Sequence, residues 1–128
     1  MARSTNWSAS LSSQRMLRAS TVDAEIALPT VPTLDGALDL LQRGIASSLA
    51  PQNRALSNAV DIGAAPASDP RLALLYDPQT AGGLLASLPP ESVDACLAEL
   101  RSNGAVHAAC IGRITRPAKG TPRISLTV

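Results

Sequence analysis

Between two apolar runs, Leu72 to Tyr76 and Leu84 to Leu88, stands the segment Asp77-Pro78-Gln79-Thr80-Ala81-Gly82-Gly83. It places a carboxylate, a rigid proline, an amide, a hydroxyl and two adjacent glycines within seven residues. Adjacent glycines let the backbone approach a ligand closely and aim successive N–H groups at an anion. Thr80 can donate a hydroxyl, and Asp77 can fix the bend by accepting backbone hydrogen bonds. The chemistry that suits such a segment is the cradling of an anionic group such as phosphate. A tight connection with Asp77 in an Asx turn uses the same residues, and composition alone leaves both readings open.

The remaining inventory of reactive groups is short, and no catalytic residue and no metal ligand is assigned from it. His107 opens the run Ala105 to Ile111 with no partner in view, so it reads as a structural or surface histidine. Cys96 falls within an apolar helical stripe and reads as a reduced core thiol. Cys96 and Cys110 stand fourteen positions apart, without a CxxC or a histidine at ligand spacing, so neither a zinc site nor a disulfide scaffold is suggested. Neither GxGxxG nor GxxxxGK[ST] occurs, which excludes both familiar nucleotide cradles.

The elements that must position the Asp77 segment follow from periodicity. Val22, Ala24, Ile26 and Leu28 alternate with Asp23 and Glu25 as a strand covered on one face, ended by Pro29 and Pro32. Leu34, Ala37, Leu38 and Leu41 give a short helix over 34–43, with Thr33 as N-cap and Gly44 as stop. Residues 10–20 form a poor helical stripe. Ile45 to Val60 reads as irregular chain with at most one short strand, and Asp61 to Pro70 as a connector. Leu72 to Tyr76 and Leu84 to Leu88 read as two strands bracketing the polar segment. A helix follows over 90–103, with Val93, Cys96, Leu97 and Leu100 as its stripe and Gly104 as its stop. Ala105 to Arg116 and Arg123 to Val128 read as strands of a closing hairpin across Pro117 to Pro122. The order predicts one α/β (α+β) domain, a mixed β-sheet sandwich with packed helices.

Composition agrees with a single domain of 128 residues, 45% hydrophobic and almost wholly aliphatic, since Trp7 and Tyr76 are the only aromatic residues. A formal charge of +1, from 11 basic and 10 acidic residues, supplies no field that would gather nucleic acid or an anionic membrane. All but one of the basic residues are Arg, a bias that source composition explains as well as phosphate binding does. No run reaches the ~20 apolar residues of a spanning helix. No secretory signal is read at the N-terminus, although an Arg- and Ser-rich, acid-free leader also suits a transit peptide. The expectation is a cytoplasmic protein.

The stretch Asp77-Pro78-Gln79-Thr80-Ala81-Gly82-Gly83-Leu84-Leu85 resembles the DPQT[S/A]GGLL signature of selenophosphate synthetases (selenide, water dikinases). Around it, Met16 to Ser20, Val22 to Ala24, Leu34 to Ala37, Gly44-Ile45, Asn53-Arg54 and Ala109 to Arg113 fall in the order of that family's C-terminal domain. The similarity covers about 16–116. The superfamily, which includes aminoimidazole ribonucleotide synthetase, implies a C-terminal α/β sandwich. The family glycine-rich segment TGFGLLGH has no counterpart in Trp7 to Arg15, so 1–15 is expected to be an atypical leader and 16–128 the domain.

The resemblance implies an enzyme family that converts selenide, ATP and water to selenophosphate, AMP and phosphate with Mg2+. It places the nucleophile, its lysine and the metal-binding aspartates in an N-terminal domain that this sequence lacks. The chain is therefore expected to hold no cofactor and to be inactive alone. Its implied partner is an N-terminal catalytic domain or a full-length homologue, with homodimerisation a further expectation. The anion-facing wall would be Asp77, Pro78, Gln79, Thr80, Gly82 and Gly83, with Asn53 and Arg54 as weaker candidates. The alternatives are a non-catalytic interaction module and a gene remnant. A sheet face left without its usual cover would expose aliphatic surface and favour self-association.

Overall fold

Strand β1, Asp23–Ala27, carries the alternation expected of it, with Ala24 and Ile26 buried and their neighbours half-buried. A computed structural model of the chain describes residues 17, 19–56, 60–61, 69–77, 84–117 and 123–127. Beyond β1 its strands are β2 (Val60–Asp61), β3 (Gly112–Thr115) and β4 (Ile124–Thr127), and its helices α1 (Ala37–Gln42), α2 (Ala50–Leu56), α3 (Pro70–Leu75) and α4 (Val93–Ser102).

The strands form one mixed sheet in the order β2-β4-β1-β3. β4 runs parallel to both β1 and β2, while β3 runs antiparallel to β1. The expected closing hairpin is therefore corrected: β3 and β4 lie on opposite sides of β1. In that register Ile124 and Leu126 stand beside Ala24 and Ile26, so that one buried face is continuous. The other flank brings Glu25 opposite Arg113, whose Nη2 lies 2.6 Å from the Glu25 carboxylate. Gly112 is required beside β1, because a Cβ there would overlap the Glu25 carbonyl.

The core gathers Leu17, Ala24, Ile26, Leu28, Val31, Leu72, Leu75, Tyr76, Ile124 and Leu126. Three of these belong to α3 and the residue after it, where the sequence predicts a strand. Asp69 accounts for the difference: its carboxylate accepts the Arg71 N–H at 2.8 Å and caps a helix whose first residue is Pro70. Leu72, Leu75 and Tyr76 then fall at the i, i+3, i+4 spacing of one helical face. The second predicted strand, Leu84 to Leu88, is irregular chain with Leu84 94% exposed. It runs into Pro89-Pro90, neither of which can donate to a ladder.

Other boundaries shift for similar reasons. α1 starts at Ala37 with Gly36 as N-cap, and Thr33 plays no part in capping it. Its end follows the reading: Gly44 N–H donates to Leu41 O and Ile45 N–H to Leu40 O, a Schellman closure. α4 ends identically through Gly104 and Ala105, which bond to Arg101 O and Leu100 O. The stretch 45–60, expected to be irregular, contains α2 as well as the short β2. The predicted strand over 105–116 shortens to Gly112–Thr115, with a turn at Val106 and His107. The leader 1–15 and most of the connector 61–70 lie outside the described residues. The observed mixed sheet with helices is the predicted fold class.

Candidate functional site

Helix α3 delivers the chain to Asp77, and α2 comes to meet it there. Asn53, in the middle of α2, donates from Nδ2 to the Tyr76 carbonyl at 3.0 Å. The next residue, Arg54, sets its guanidinium 5.9 Å from the centre of the Tyr76 ring, within reach of a cation–π interaction. Two residues singled out by the sequence, Asn53 and Arg54, thus both engage Tyr76, the residue immediately before Asp77. Asp77 is half-buried, and its N–H donates to Leu74 O at 3.3 Å. Pro78, Gln79, Thr80, Gly82 and Gly83 lie outside the described residues.

Tyr76 is 5% exposed, and burial raises its phenol above the ordinary value of 10.0, with the positive charge of Arg54 acting in the opposite direction. Desolvation is the larger of the two effects. Beside this junction α1 packs against α3, and a cleft of about 450 Å3 opens there. Leu41 and Leu72 give it an apolar floor, and Gln42, Arg54 and Asp69 supply an amide, a cation and a carboxylate. Sequence reasoning assigned no role to Tyr76 or Asp69. The available signals were a sole tyrosine adjoining Asp77 and an Asp-Pro pair opening an apolar run.

His107 and Cys110 are exposed, Cys96 is half-buried, and both thiols are free. Among the described residues no group of three or more His, Cys, Asp and Glu side chains could hold a metal ion. Nor is any helix among them long and apolar enough to cross a membrane.

Residues 10–125 match the family of AIR synthase related proteins, C-terminal domain. The chain belongs to this family. Its relatives include the selenide, water dikinase of Clostridioides difficile, 34% identical in an alignment of 103 residues that covers 77% of this chain and 28% of that protein. The enzyme of the same name from Geobacter metallireducens is 34% identical over 102 residues, 80% of this chain and 29% of the relative. That of Nitratidesulfovibrio vulgaris is 30% identical over 112 residues, 87% and 31% respectively. The chain spans less than a third of the length of these curated relatives. The resemblance to the C-terminal domain of selenophosphate synthetase read from the sequence is borne out by this family and these relatives.

Proposed function

We propose that this AIR synthase related C-terminal domain serves a selenophosphate synthetase reaction, in which selenide, ATP and water give selenophosphate, AMP and phosphate. In this reading the segment Asp77 to Gly83 is a wall of the phosphate-handling cavity. The reactive groups and the Mg2+ ligands belong to an N-terminal catalytic domain with which the chain pairs. Phosphoryl transfer depends mainly on positioning and on stabilising charge. A polar segment rich in backbone donors suits that work without a nucleophile of its own. Arg54 adds a guanidinium, whose planar fork matches phosphate oxygens. The free thiols agree with work in a reducing cytoplasm.

The observation that carries the proposal is the Asn53 to Tyr76 bond with Arg54 beside it, which brings both outlying candidates to the foot of the signature segment. Its test is reconstitution with a separately expressed N-terminal half of the Clostridioides difficile selenide, water dikinase. The mixture is expected to release AMP from ATP in a selenide-dependent way, and neither part alone should do so. Selenide-dependent turnover by this chain by itself, or a mixture that neither associates nor turns over, would count against the reading.

A further inference from the structure

The peptide unit joining Tyr76 to Asp77 is held on both edges. Its carbonyl accepts from Asn53 Nδ2 at 3.0 Å, and its N–H donates to Leu74 O at 3.3 Å. A peptide unit is planar, so two bonds on opposite edges restrain its rotation, and with it ψ of Tyr76 and φ of Asp77. The Tyr76 side chain cannot yield either, because its ring is sunk in the core and faced by the Arg54 guanidinium. The Asn53 bond joins positions 23 residues apart and belongs to neither helix's own ladder. Asparagine is a poor helix former in general, so helix propensity does not account for it in the middle of α2.

We propose that Asn53 is a positioning residue: its carboxamide fixes the plane of the Tyr76–Asp77 peptide and so the direction in which Asp77 leaves α3. The adjacent pair in α2 then divides its labour, with Asn53 turned to the chain and Arg54 to the cleft. This rests on the reading of Asp77 as part of a phosphate-facing wall. It differs from the first expectation for Asn53, which placed its amide on the wall itself.

Three variants test it. Asn53→Asp keeps the shape but turns an acceptor toward the Tyr76 carbonyl, Asn53→Ala removes the group, and Asn53→Gln retains a carboxamide donor. Amide hydrogen exchange of the full chain, followed by NMR, should accelerate at Asp77 by about fivefold in the Asp and Ala variants, the net worth of one ordinary hydrogen bond. Exchange at Ile26 and Leu126 should stay as in the parent, and the Gln variant should recover part of the protection. In the reconstituted assembly kcat should fall by about tenfold or more in the Asp variant, with KM for ATP little changed. Unchanged exchange at Asp77, or equal acceleration at Ile26 and Leu126, would overturn the proposal, as would a wild-type kcat in an active assembly carrying Asn53→Asp. An inactive parent assembly would sink the functional reading above instead, and the exchange pattern would still decide whether Asn53 positions Asp77.

Discussion

Helices α3 and α4 are held in opposite ways. α3 has six residues, yet Leu72, Leu75 and the following Tyr76 are 2%, 1% and 5% exposed. α4 has ten residues and the clearer apolar stripe, yet none of its side chains is fully buried and Leu100 is 43% exposed. Local bonds fasten its C-terminal end: the Gly104 closure, and Arg101, whose Nε and Nη2 reach Ala108 O at 3.2 and 2.9 Å. Periodicity identifies which face of a helix is apolar, but tertiary contact decides whether that face is covered. The helix that leads into Asp77 is the one built into the core, which suits the positioning role proposed for that junction.

A pair of truncations read by denaturant midpoint tests this contrast. Leu75→Ala should cost about 2–5 kcal/mol, because a fully buried leucine leaves a cavity. Leu97→Ala, in the half-buried stripe of α4, should cost about 1 kcal/mol or less. Equal losses would show that α4 is packed as firmly as α3. A smaller effect probes the local device: Gly104→Ala, at φ +92°, should cost about 1 kcal/mol and act on α4 alone.

The smallest effect concerns Tyr76, the sole tyrosine, whose phenolate absorbance reports one site. Its folded pKa lies above the unfolded value of 10.0. The folded state therefore keeps its proton longer, and the associated stability is intact below about pH 10 and lost as pH rises through the folded pKa. Arg54→Gln removes the opposing charge and should move the phenol's titration higher still. A titration that stays in place would remove Arg54 from the neighbourhood of the ring.

Much of this was legible in the residues. The alternation from Val22 to Leu28 specified β1, and the glycines after α1 and α4 marked their ends, because each signal is local. The hairpin misreading of β3 and β4 was not local: each strand pattern is genuine, but pairing is set by which partner completes the buried face, and that partner is β1, about ninety residues before β3 and a hundred before β4. Leu72 to Tyr76 was misread because five apolar residues suit either period, and the deciding residue, Asp69, stands outside the run. At the candidate site, Asp77, Asn53 and Arg54 were visible as residue types. Their meeting at Tyr76 was not, since nothing in the sequence indicates that Asn53 and Tyr76 are hydrogen-bond partners.

In the proposed function Asp77 and its segment serve phosphate chemistry in an assembly with a catalytic N-terminal half. The most direct measurement compares the parent chain with Asp77→Ala in the reconstituted assembly, alongside denaturant midpoint and co-purification. This role predicts a kcat of about a tenth of the parent's or lower, with midpoint and association near those of the parent. An Asp77→Ala assembly that turns over selenide and ATP at the parent rate would contradict it.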